Sequence, residues 1–198
     1  ETSYESRMAY CYKYLLVFDF EANCLENEKI TPQEIVEFPV IPICTHNNNE
    51  TIKNFRYFIK PEIKKLTPFC TQLTGITKEQ VNSGISLKEA LDKFKQYLID
   101  NSLNDEDVCF ITCGDWDLKT CLKNECEYKK IFVDPIFNKF FNIKEIFSSV
   151  MNIPNVKGMP VMLNILKKPL IGKHHSGIDD CQNIATILKY LLHEKEFL

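Results

Sequence analysis

YLLVFDFEA, residues 14–22, opens with five apolar positions and then sets two carboxylates, Asp19 and Glu21, on either side of Phe20. An unbroken apolar run of this length suits a central strand buried on both faces. Side chains alternate along a strand, so Asp19 and Glu21 share one face while Phe20 points to the other. Two such carboxylates at the end of a buried strand repel and lose hydration, which is unfavourable unless a cation joins them. Hard oxygen ligands at this spacing suit Mg²⁺ or Mn²⁺. A solvated strand end can also read Asp-x-Glu, so the pair needs support from the rest of the chain.

Residues 35–44 and 55–60 read as two further strands, joined as a hairpin through the polar turn HNNNE at 46–50. Pro39 and Pro42 fall inside the first, and irregular pairing is expected there. The period then changes. SLKE at 86–89 is a capping-box signature, followed by Leu87, Ala90, Leu91, Phe94 and Leu98 at helical spacing. Residues 108–112 form a short buried strand that runs into Gly114 and a helix carrying Leu118, Cys121 and Leu122. Shorter helices are expected at 142–151 and 159–167. The last helix is the clearest, with Ile178, Cys181, Ile184, Ala185, Leu188, Leu191 and Leu192 in one stripe. A hairpin feeding a mixed sheet packed by helices is an α/β layer architecture.

The chain has 198 residues, 44% hydrophobic and 26% charged, the size and composition of one ordinary globular domain. Residues 1–13 read as a polar tail and 14–198 as a single domain, with no second protein domain. No apolar run approaches the ~20 residues of a membrane span, and an intracellular protein, cytoplasmic or nuclear, is expected. Nine cysteines without a C-x-x-C pair fit neither a disulfide framework nor a zinc finger, and read as reduced core side chains. A net charge of −3 excludes coating nucleic acid by bulk electrostatics, but not gathering it at one cleft. Lys64-Lys65, Lys129-Lys130 and Lys167-Lys168 with Lys173 are candidate positive surface, or simply solvated faces.

Two more acidic motifs follow. In CGDWDL, residues 113–118, a strand turns into a helix, a place where ligands gather in α/β sheets. Asp115 reads as the helix N-cap, which leaves Asp117 without a structural task. In HHSGIDD, residues 174–180, the Ser176 to Asp179 spacing is that of a cap, which leaves Asp180 free. His175 lies in the preceding loop, where a histidine beside an acidic metal site suits a general base near neutral pH.

In this order, Asp-x-Glu, Asp and His-x₄-Asp resemble the DEDDh exonucleases. FDFEA (18–22), QEIVEFP (33–39), LTPFCTQLTGI (66–76), CGDWDL (113–118) and HSGIDDCQNIA (175–185) sharpen the resemblance to the Eri-type 3′→5′ exoribonucleases, most of all their prion-interactor subgroup. The resemblance implies an RNase H-like fold, a mixed five-stranded sheet flanked by helices. It implies that Asp19, Glu21, Asp117 and Asp180 hold two Mg²⁺, for which Mn²⁺ can substitute, with His175 as general base. The implied substrate is single-stranded RNA or an RNA 3′ overhang, and the product a nucleoside 5′-monophosphate. Phe20, Ala22, Thr74, Gly75, Ile76, Trp116 and His175 map to the substrate side, Gly75 by letting backbone approach and Ile76 by packing on a base. As residues, Phe20 and Trp116 read more readily as core than as stacking platforms. A DNA 3′-exonuclease of the same fold and a silent RNA- or protein-binding scaffold are the alternatives; the retention of four mutually repelling acids speaks against the scaffold.

Overall fold

The computed structural model describes residues 11–46 and 51–194, the side chain of Glu194 excepted. Six strands form one mixed sheet: β1 (Tyr14–Phe18), β2 (Glu21–Ala22), β3 (Ile35–Cys44), β4 (Phe55–Phe58), β5 (Val108–Thr112) and β6 (Phe140–Asn142). The apolar run lies centrally, as expected, with β1 antiparallel to β3 and parallel to β5. β4 pairs antiparallel with β3, as the hairpin requires, and β6 lies parallel beside β5. Residues 1–10 of the expected tail and 47–50 of the expected turn lie outside the described residues.

The strand expected over 14–20 stops at Phe18 and resumes as β2, and the reason lies in β3. Phe18 faces Val40 and Glu21 faces Glu37, so one register runs through the gap and sets Asp19 opposite Pro39. Proline has no N–H to give the ladder. The irregularity expected at Pro39 is therefore present as a break in the partner strand. At Pro42 it is absent, since Pro42 pairs with Leu16 in unbroken register. A register shift does occur between Glu21 and Ala22.

Helices cover both faces. Against one face pack α3 (Leu87–Asp100) and α4 (Leu122–Lys129), the latter entered through a π-helical turn at Asp117–Cys121. Both capping-box bonds between Ser86 and Glu89 form at the start of α3. Phe18, Phe38, Phe94 and Phe110 are fully buried on this side, each contributing about 1.5–3 kcal/mol by leaving water. Against the other face pack α5 (Ile143–Met151), α6 (Met159–Ile165) and α7 (Gly177–Glu194), with Leu15, Val17, Ile41 and Ile111 beneath them.

Two short helices, α1 (Pro68–Thr74) and α2 (Lys78–Asn82), were not expected from the sequence. Thr67 caps α1 by accepting the Cys70 N–H, Pro68 begins its first turn, and Gly75 ends it at φ +81°. They bury Cys70, Ile76 and Val81 with Leu66 and Val36.

Lys129 does not contribute positive surface. Its ammonium is buried between Glu34 at 2.9 Å, Glu62 at 2.9 Å and Glu125 at 2.8 Å. Glu34 also accepts the N–H groups of Glu62 and Lys64, so this one cluster fastens α4 and the 60–65 segment to the start of β3. The cysteines are thiols, as expected, and six of them are buried, while Cys11 is exposed.

Candidate active site

Asp19 and Glu21 face the α7 side of the sheet, opposite Phe20, as the alternation requires. There they meet Asp180 from the first turn of α7, and one oxygen from each of the three lies within 4.8 Å of the others. Asp117 arrives from the far side of the strand break. It opens the π-helical turn, and its Oδ1 accepts the Phe20 N–H at 2.9 Å. Asp180 is held by its own loop: Oδ2 accepts the His175 N–H at 2.9 Å, and Oδ1 lies 3.1 Å from Nδ1 of His174.

The start of α7 is seated closely on the sheet. A Cβ on Gly177 would come within 3.0 Å of the Asp19 carbonyl oxygen and 3.1 Å of the Pro39 ring, so only glycine fits without displacement. Glu37, whose spacing in IVEFPV signals a strand charge facing the same way as Glu21, was missed by the sequence reading. It is 0% exposed, and burial raises its pKa while the paired Arg56 guanidinium lowers it.

The electrostatics call for a cation. Burial first, then the charges of Asp117, Glu21, Asp180 and Glu37, push Asp19 well above the usual carboxylate range. Burial, with Asp180, Glu37 and Asp117, pushes Glu21 up to about 9. Burial also raises Asp117 to about 6, although the Phe20 N–H and its own N–H hold it back. Around them the thiols of Cys113, Cys121 and Cys181 are pushed up by burial, Cys113 to about 12, and so remain neutral. A cluster of hard oxygen donors whose neighbouring charges are acids fits Mg²⁺ or Mn²⁺.

Several expected side chains take other places. His175 is exposed at φ +69°, its ring stacked on that of His174 at 3.9 Å; the ring on Asp180 is that of His174, which the sequence reading did not single out. Burial and His174 lower the His175 pKa, favouring the neutral imidazole a base requires. Asp115 is not a helix cap: its carboxylate pairs with Lys119 at 2.6 Å. Asp179 is occupied structurally, as expected, but by the Lys173 N–H, while the Ser176 N–H goes to the Lys173 carbonyl instead of closing a capping box.

The expected substrate-facing side chains divide in two. Phe20, Ala22, Thr74 and Ile76 are buried. Phe20 turns its ring edge against Phe18 and Phe38, Thr74 donates to the Cys70 carbonyl, and Ile76, 3% exposed, packs into the cluster beneath α1 and α2 instead of standing free for a base. Gly75 is exposed, and Lys173 reaches across to donate to the Gln72 carbonyl, tying the histidine loop to this segment. Trp116 reads as core in the sequence but is 42% exposed. It lines a cleft of about 530 Å³ with Leu25, Gln33, Asn124 and Tyr128.

Comparison with known proteins identifies the family. The exonuclease family model (RNase_T) matches residues 16–188. ERI1 exoribonuclease 3 of Homo sapiens is 40% identical over 183 residues, covering 91% of this chain and 54% of the relative. The 3′-5′ exoribonuclease 1 of Rattus norvegicus is 32% identical over 187 residues, covering 92% and 54%. The chain thus spans about half the length of the curated relatives it matches. The crystal structure of the nuclease domain of 3′hExo, a DEDDh family member bound to rAMP, superposes with a TM-score of 0.87 at 30% identity, covering 98% of this chain and 95% of that one. The fold expected from the sequence, an RNase H-like mixed sheet flanked by helices, is shared with these nucleases, and the chain belongs to the exonuclease family, on its DEDDh, Eri-type branch.

Proposed function

We propose that this chain removes nucleoside 5′-monophosphates from RNA 3′ ends in a divalent-metal-dependent reaction. The observation that carries the reading is the convergence of Asp19, Glu21 and Asp180 within 4.8 Å, with Asp117 locked beside them by the Phe20 N–H. The relatives' names and the rAMP bound to the 3′hExo domain support RNA over DNA.

Asp19, Glu21, Asp117 and Asp180 would hold the metal. When bound, two Mg²⁺ or Mn²⁺ ions would supply Lewis acidity to the attacking water and to the leaving 3′ oxygen. His175, exposed and favoured as neutral imidazole, takes the proton of the attacking water. His174 and the His175 N–H fix the Asp180 carboxylate. Gly75 lets backbone approach the terminal nucleotide, and the open face of Trp116 offers a base a stacking surface that reads no sequence. Single-stranded RNA and RNA 3′ overhangs are the substrates this arrangement suits.

Incubation of 5′-labelled RNA and matched DNA strands with Mg²⁺ or with EDTA tests the reading. A ladder shortening from the 3′ end of RNA, abolished by EDTA and much weaker on DNA, is expected. Equal or faster DNA shortening would replace the RNA assignment; no shortening of either strand would leave the scaffold alternative.

A further inference from the structure

We propose that Glu37 and Arg56 form a positioning pair that sets the first turn of α7, and with it Asp180 and His175, against Asp19 and Glu21. The proposal rests on the exoribonuclease reading above. Glu37 stands in register with Glu21 and is fully buried. A further carboxylate beside four others adds repulsion and loses hydration, so its retention needs a compensating task.

Both of its oxygens are committed. Oε1 lies 2.7 Å from Nε of Arg56, and Oε2 accepts the Gly177 N–H at 3.2 Å. Its oxygens are not among those that converge within 4.8 Å with Asp180, which separates Glu37 from Asp19 and Glu21. The free N–H groups at a helix start favour a negative partner, and Glu37 supplies it from the sheet. Gly177 shows how finely the distance is set: a Cβ there would lie 3.0 Å from Glu37 Oε2 and 3.0 Å from the Asp19 carbonyl. Asp180 follows within the same turn, and its N–H bonds back to the Ser176 carbonyl at 2.8 Å. A shift of the helix start thus moves Asp180 relative to Asp19. Displacement by about 1 Å at a reacting centre can cost about 100-fold in rate.

The test compares wild type with Glu37→Gln, Arg56→Gln and Arg56→Lys in steady-state turnover of single-stranded RNA and in Mn²⁺ titration. Arg56 is partly exposed, and circular dichroism of each variant selects the folded ones for comparison. Glu37→Gln and Arg56→Gln are expected to lose about tenfold or more in kcat with KM within about twofold, and to weaken Mn²⁺ about tenfold without losing a site. Arg56→Lys, keeping the charge, is expected to recover most of the loss. Wild-type kcat and Mn²⁺ affinity in folded Arg56→Gln would overturn the proposal, as would loss of a whole Mn²⁺ equivalent in Glu37→Gln, which would make Glu37 a ligand. An inactive wild type would sink the exoribonuclease reading instead, and the Mn²⁺ affinities would still decide between positioning and none.

Discussion

The Phe20 N–H and the Asp117 carboxylate, 97 residues apart in sequence, are joined at 2.9 Å. The bond exists because the sheet is broken where it is. Phe20 lies beyond the end of β1, past the last β1–β5 pair of Val17 with Ile111. Its side chain still anchors in the aromatic core, so its N–H is carried rigidly to the edge of the acidic cluster. Asp117 is thereby fixed by the same residue that separates Asp19 from Glu21.

Asp117 and Asp115 should consequently behave very differently. Asp117→Asn is expected to lose at least about 100-fold in kcat, since even residues that merely support metal ligands cost 10–100-fold. Asp115→Asn removes an exposed i,i+4 pair with Lys119, worth about 0.3–0.5 kcal/mol, keeps an oxygen for the long 3.5 Å contact from Asn142, and should leave turnover within about twofold. Turnover assays on both proteins check the pair, and the reverse order would misplace the motif by two residues.

Metal and pH should be coupled. Burial and the surrounding acids raise Glu21 from its ordinary 4.5 to about 9, and Asp19 moves the same way. Between those values the metal-free folded protein binds more protons than the unfolded chain, so its stability falls as pH rises through that window. Mg²⁺ requires the ionised carboxylates and must displace those protons. Thermal scans in EDTA should show Tm falling from about pH 5 to about pH 9, and added Mg²⁺ should raise Tm more at about pH 8.5 than at about pH 6. A Mg²⁺ effect that is larger at the lower pH would contradict the cluster's assignment as the metal site.

The two adjacent histidines should separate by role. His175→Ala is expected to lower kcat by about 100-fold or more while Mn²⁺ still binds, the loss of a general base. His174→Ala removes a contact to Asp180 Oδ1 and should instead weaken Mn²⁺ about tenfold or more. Parallel titrations and rate measurements check this, and loss of metal in His175→Ala would make it a ligand.

Much of this was legible in the sequence because local signals agreed with the fold. The apolar character of 14–18, the largely apolar run at 35–44, the capping box at Ser86 and the stripe of α7 each pointed to one element. β6 was not legible, since three residues show no alternation and are a strand only because β5 lies beside them. α1 and α2 had Thr67-Pro68 and Thr77 with Gln80 as start signals, but at seven and five residues neither shows a periodic stripe. In the site, Asp19 and Glu21 followed from strand alternation, while the choice of Asp117 over Asp115 came from a cap that does not form. The strand spacing of Glu37 signals only its face, and its contact to α7, like that of His174 to Asp180, is set by the tertiary fold.

The Lys129 cluster should be the main polar support of the fold outside the site. Burial opposes ionisation of Glu34, but the N–H groups of Lys64 and Glu62 and the Lys129 ammonium outweigh it and hold its pKa below 4.5. That stabilisation is present above about pH 4.5 and is lost as pH falls through the lower folded value. Lys129→Met strands two buried carboxylates and should cost about 3–5 kcal/mol at neutral pH by urea denaturation, with the deficit shrinking in acid. A loss under about 1 kcal/mol would mean the cluster is solvated and contributes little.

The most direct measurement is release of labelled mononucleotide from 3′-labelled single-stranded RNA in Mg²⁺, wild type against Asp19→Asn. Asp19 sits at the centre of the cluster, opposite Pro39 and within reach of Glu21 and Asp180. Release by the wild type and near-complete loss in a folded Asp19→Asn is the expected result. Release by both proteins, or by neither, would contradict a metal-dependent 3′-exoribonuclease built on these carboxylates.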